Sequence, residues 1–178
     1  MKNKIIVFIL LILFLGIKVD AISLKPTGAN TAKPGDTLKV YITLERTEDE
    51  ETISGVDGLI KWDSNVLTLK DQALLINKWT ELSEVSNNEK FAYGNLSLDN
   101  LITATSANIV ELTFTVNNDV SADETKIEIS SATATDGDSH IVRLTGSSLT
   151  IAITNLSSVN TLKTLSLSSG TISNFSPS

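Results

Sequence analysis

The sequence predicts an all-β fold of short antiparallel strands, a sandwich or a barrel. Three observations carry this. Apolar and polar residues alternate one by one in four separate stretches. Turn-forming residues punctuate the chain between such stretches. The length, 178 residues, suits one domain with residues to spare at its ends.

The elements follow in order. Pro34-Gly35-Asp36 is a turn. After it Leu38, Val40, Ile42 and Leu44 alternate with Lys39, Tyr41, Thr43 and Glu45. Successive side chains in a strand point to opposite faces, so this segment has one buried and one wet side. Residues 56–62 and 66–69 read as two strands joined by Asp63-Ser64-Asn65. In the first, Val56, Ile60 and Trp62 point inward, and Asp57, Leu59 and Lys61 outward. A short helix is expected over residues 73–80, and a further strand pair within 81–87 and 90–98. Val110, Leu112, Phe114 and Val116 alternate with Glu111, Thr113, Thr115 and Asn117. Ser121-Ala122-Asp123-Glu124 can cap one helical turn. Ile127 and Ile129 mark the next strand, Asp136-Gly137 a hairpin turn, and Leu149, Ile151 and Ile153 the closing strand. Short strands at regular spacing with turns between them are the signature of a β-sandwich.

The ends read differently. Met1-Lys2-Asn3-Lys4 is basic, residues 5–17 are almost wholly apolar, and Val19-Asp20-Ala21 offers small residues for cleavage. This is the layout of a secretory signal peptide over residues 1–21, and the apolar run is short for a membrane span. A secreted, extracellular location is therefore expected, with association at the cell surface left open and no membrane partner once the leader is removed. Residues 155–160 have the composition of a polar linker. Within residues 154–178, the stretch Leu162, Leu165, Leu167, Ser168-Ser169-Gly170, Ile172 and Phe175 resembles the start of a cadherin-like β-sandwich repeat, too short to complete one.

The chain has a net charge of -7 and no cysteine. Without Lys2, Lys4, Lys18 and Asp20 the remainder is more acidic still. That balance argues against nucleic acid and anionic membrane as partners. Stability has to come from a packed core rather than from disulfides.

The order of motifs over residues 22–153 resembles the cohesin family. The resemblance begins at Ala32-Lys33-Pro34-Gly35-Asp36-Thr37-Leu38 and continues through Ile53-Ser54-Gly55-Val56-Asp57-Gly58-Leu59-Ile60-Lys61-Trp62-Asp63-Ser64-Asn65-Val66-Leu67. It resumes at Leu96-Ser97-Leu98-Asp99-Asn100 and at Ile109-Val110-Glu111-Leu112-Thr113-Phe114-Thr115-Val116, and ends with residues 126–130 and 149–151. Residues 70–90 match poorly. The resemblance implies a nine-stranded antiparallel jelly-roll β-sandwich. It implies a non-catalytic module that docks a dockerin-like protein, with calcium carried by that partner, in assemblies that degrade polysaccharide.

The resemblance also implies a docking face on the outside of one sheet, carrying Asp57, Leu59, Leu96 and Asp99. Where the family has an asparagine two residues before the acid, this chain has Gly55. Leu59 beside Asp57 fits an interface as an apolar anchor with a polar neighbour, or equally a scattered surface leucine. Simple alternation places the later residues differently, burying Leu96 and Leu98 and exposing Asn95 and Ser97. A slip of one residue exchanges the two faces.

Catalysis has little material. His140 is the only histidine, in a turn-like Asp136-Gly137-Asp138-Ser139-His140 stretch, and no zinc site or cofactor is expected. The acids at Glu48-Asp49-Glu50-Glu51 read as a solvated loop. Calcium at Asp136 and Asp138 is conceivable from their hard oxygen ligands, but a plain hairpin turn accounts for both. Direct binding of a polysaccharide is the main competitor to docking, and a structural spacer is the third reading. Sugar-binding sandwiches need exposed rings. Apart from Phe, the rings here are Tyr41, Trp62, Trp79 and Tyr93. Trp62 falls on the inward face, which leaves Trp79 as the best exposed candidate.

Overall fold

The computed structural model describes residues 22–47 and 52–154. The expected signal peptide, the acidic stretch 48–51 and residues 155–178 lie outside the described residues. Twelve strand segments fall within them: β1 (Ser23–Gly28), β2 (Thr31–Ala32), β3 (Thr37–Glu45), β4 (Ile53–Trp62), β5 (Leu67–Leu74), β6 (Thr80–Ser83), β7 (Glu89–Gly94), β8 (Ser106–Val116), β9 (Glu124–Asp136), β10 (Ile141–Arg143), β11 (Thr145–Gly146) and β12 (Ser148–Ile153). Setting aside the two- and three-residue pieces β2, β10 and β11 leaves the nine strands expected.

One sheet runs β11-β1-β3-β8-β5 and the other β2-β12-β9-β4-β7-β6, with β10 added to β9. Most pairings are antiparallel, but β1–β11 and β2–β12 are parallel. The inner faces carry the alternating residues. Val40, Ile42, Leu44, Val110, Leu112, Phe114, Val116, Ile127 and Ile151 are all fully buried. Burying such a side chain is worth about 1.5–3 kcal/mol. Trp62 on β4 meets Phe114 on β8 edge to face at 5.2 Å, which ties the two sheets together.

The turn at Pro34-Gly35 forms as its residues dictate. Gly35 sits at φ 84, the left-handed position that glycine fills without strain. Asp36 donates its N–H to the Lys33 carbonyl at 3.0 Å, and the Asp36 carboxylate accepts the Lys33 N–H. Pro26 lies on β1 beyond the two residues that pair with β11, so that side of the strand is an edge there. A missing N–H costs nothing at an edge.

Two local expectations are overturned. Residues 73–80 form no helix. Ala73 and Leu74 pair with Glu111 and Val110 on β8, and Leu75 donates to the Ile109 carbonyl at 2.8 Å. Sheet pairing satisfies the backbone that a helix would otherwise use, and Lys78 at φ 62 then turns the chain into β6. Residues 121–124 form no helical turn either. Glu124 already begins β9, and the Asp123 carbonyl accepts the Ile153 N–H at 2.7 Å.

Candidate docking surface

Register defines what shares the outer face of the β4 sheet, because directly opposed residues point to the same side. On β4, Val56, Ile60 and Trp62 are buried, Asp57 and Leu59 half-buried and Lys61 exposed, as alternation predicts. Asp57 opposes Ala92 on β7 and Thr133 on β9, and Thr133 opposes Arg143 on β10. The Thr133 hydroxyl donates to the Asp57 carboxylate. The adjoining row runs Ile141, Thr135, Gly55, Gly94 and Thr80 across five strands.

Gly55 and Gly94, directly opposed, floor a shallow depression of about 320 Å³. Leu82, Leu96 and Leu98 stand around it at 55%, 77% and 45% exposure, with Asp57 also on its lining. A larger open hollow of about 540 Å³ lies where β4 leaves the sheet, and Lys61, Lys126, Glu124 and Glu128 give it a solvated, charged rim.

The loop after β7 explains the exposed leucines. β7 stops at Gly94. Asn95 donates its N–H to the Ser54 carbonyl at 2.7 Å and buries its side chain. Its Oδ1 accepts the Ser97 N–H and the Ser97 hydroxyl, each at 2.9 Å, an Asx turn. Leu96 is thereby turned outward, and Leu98 follows at φ 55. The simple alternation that buries Leu96 and Leu98 and exposes Asn95 is thus reversed, because the strand ends before it reaches them.

Asp99 closes this loop. It pairs with Lys78 at 2.6 Å and accepts from the Ser97 hydroxyl at 2.7 Å and the Asn95 amide at 3.3 Å. The Lys78 ammonium, then these two donors, hold its carboxyl well below the usual carboxylate range. Of the four residues assigned to the face, Asp57 and Leu96 line the depression. Leu59 lies two residues further along β4, opposite Lys90 and Ser130. Asp99 holds the loop through Lys78, Ser97 and Asn95 and does not line the depression. Leu82 and Ile141, at 55% and 76% exposure, join the face without a signal in the sequence, and Leu98 joins it against alternation. Ile141 opposes the outward Thr135, and only the β9–β10 register reveals it.

The aromatic residues sit elsewhere than glycan stacking requires. Trp62, Trp79 and Tyr93 are buried, and Tyr41 is half-buried on β3 of the other sheet. The expected exposed ring of Trp79 is a core residue, its indole N–H donating to the Asn100 carbonyl at 2.9 Å. Burial, then nearby Glu81 and Glu84, push the Tyr93 phenol far above its usual value.

Asp136 builds the β9–β10 hairpin instead of offering free ligand oxygens. Its Oδ1 accepts the N–H groups of Asp138 and His140 at 2.9 and 2.8 Å, and its Oδ2 faces His140 Nδ1 at 3.1 Å. The left-handed residue of the turn is Ser139, at φ 68, rather than Gly137. The His140 backbone N–H, more than its ring, lowers the Asp136 pKa. A carboxylate depressed on folding stabilises fully above its unfolded value, near 4, and that stability drains as pH falls through the lower folded value. Asp136→Asn is therefore expected to lower the melting temperature at neutral pH and to flatten the acid limb of a stability–pH curve. An unchanged acid limb would show that the turn does not depend on this charge.

Comparison with known proteins follows this geometry. The family model of the cohesin domain matches residues 22–153. No curated protein matches the chain. Among solved structures, a cohesin module from a Clostridium perfringens family 33 glycoside hydrolase superposes with a TM-score of 0.63 at 14% identity, over 76% of this chain and 99% of that one. The third ScaB cohesin of R. flavefaciens, solved with a group 1 dockerin, gives 0.59 at 16% identity, over 77% and 99%. The sixth cohesin of scaffoldin B from Acetivibrio cellulolyticus, also solved with a dockerin, gives 0.57 at 15%, over 75% and 99%. At these identities the likeness is one of fold.

Proposed function

The chain belongs to the cohesin family, whose domains are non-catalytic binding modules, and from that premise we propose that it docks a dockerin-type protein module on the outer face of the β4 sheet. The carrying observation is the cluster of Leu82, Leu96 and Leu98 beside Asp57 on a face that also carries Thr133, Arg143 and Thr80. An apolar centre with a polar surround is the composition of a protein interface, and the R. flavefaciens and Acetivibrio relatives were solved with dockerins bound. The proposed setting is extracellular, in assemblies that degrade polysaccharide, and rests on the leader-like first 21 residues and the family likeness. Direct glycan binding has less support, since Trp62, Trp79 and Tyr93 are all withdrawn into the core.

The test is titration calorimetry with the dockerin modules encoded by the source genome. Asp57→Ala should weaken capture by more than about 1 kcal/mol. The calcium belongs to the partner, so EDTA should abolish capture and leave this chain's own melting temperature unchanged. Binding that survives both treatments would remove the proposal, as would retention on insoluble glycan with no dockerin bound.

A further inference from the structure

We infer that Gly55 and Gly94 form a seat for one aliphatic side chain of the docked module, so that this chain selects its partner by the size of that side chain. The inference rests on the docking reading above and deepens it.

Glycine inside a strand weakens it and needs a reason, often the close approach of another group. The sandwich itself supplies no reason at Gly55. Its φ lies outside the left-handed region, which among the described glycines holds only Gly28 and Gly35. A Cβ there would meet nothing nearer than the Tyr93 carbonyl at 3.4 Å, then Gly94 Cα and Thr135 Cβ at 3.7 Å. Gly58, three residues on, is a useful contrast. It points inward, and a Cβ on it would press Phe91 at 3.1 Å and Ile129 at 3.3 Å, so packing explains it. Gly94 is the tighter of the two, since a Cβ there would press the Ser54 carbonyl at 3.3 Å, so the room in the depression lies chiefly above Gly55.

The surroundings say what fills that room. The walls are Leu82, Leu96 and Leu98, which select an aliphatic group. Asp57 is the next outward position along β4, roughly 7 Å from Gly55 at strand spacing. A partner segment that seats an aliphatic residue on the glycines therefore has Asp57 within reach of a hydroxyl or ammonium donor about 7 Å further along β4.

The experiment uses dockerin modules from the source genome, displayed singly and selected on the full wild-type chain. Affinity of the selected module is then measured against Gly55→Ala and Gly55→Leu. The expected result is weakening of at least about tenfold for the first and about 100-fold for the second, with melting temperatures no lower than wild type. Truncating the module's aliphatic residues to alanine, one at a time, should identify one truncation that Gly55→Ala tolerates better than the wild type does. Wild-type affinity in Gly55→Leu overturns the seat and leaves docking standing. Weakening that comes with a lower melting temperature and no such truncation also overturns it. If no dockerin binds the wild type, the docking reading fails and the seat fails with it.

Discussion

Replacing Trp79 with alanine is expected to cost about 3–5 kcal/mol of stability, the usual price of emptying a buried tryptophan site, and to weaken docking as well. The ring is buried and its N–H is held by the Asn100 carbonyl. Asn100 follows the loop that presents Leu96 and Leu98, and Lys78, the residue before Trp79, pairs with Asp99 in that loop. One substitution thus empties a core site and loosens the platform of the exposed leucines, although the ring itself lies inside. Trp62 remains as the fluorescent reporter for denaturant unfolding. A cost below about 1 kcal/mol, or full retention of dockerin affinity, would mean that the loop holds its shape without the indole.

The second large effect is at the surface. Leu96→Glu should weaken dockerin capture by about 100-fold, near 2.7 kcal/mol, because a carboxylate would be desolvated at the centre of an apolar contact beside Asp57. The same variant should melt within about 2 °C of wild type, since surface changes usually stay within about 0.5 kcal/mol and Leu96 is 77% exposed. The contrast between the two variants is informative. Trp79→Ala moves both readouts, whereas Leu96→Glu moves only binding. Unaltered capture by Leu96→Glu would place the docking surface on some other part of the sandwich.

The long central strands were legible because period two leaves little ambiguity. Leu38 to Leu44 and Val110 to Val116 each bury one full face. The alternation on β4 placed Asp57 on the outside without further information. Legibility failed where strands end. Nothing local says that β7 stops at Gly94, so alternation continued past it puts Asn95, Leu96 and Leu98 on the wrong side and only Ser97 on the right one. Residues 73–80 have helix-compatible composition, yet the open edge of β8 captures their first half. β10 and β11 are two or three residues long, too short for any periodic signal. Ile141 is therefore not legible, because its place on the outer face of the β4 sheet is inherited from Thr135 across a pairing that sequence does not display.

The parallel contacts bear on how such a chain reaches its native state. β11 joins β1, and β12 joins β2, so the last segments of the domain complete the edges begun by the first. A chain emerging N-terminus first must hold β1 and β2 without those neighbours until residue 153 has appeared. Sequence-distant pairing of this kind makes folding slow. Closure of these two edges therefore waits for the last strands of the domain, whatever has paired before them.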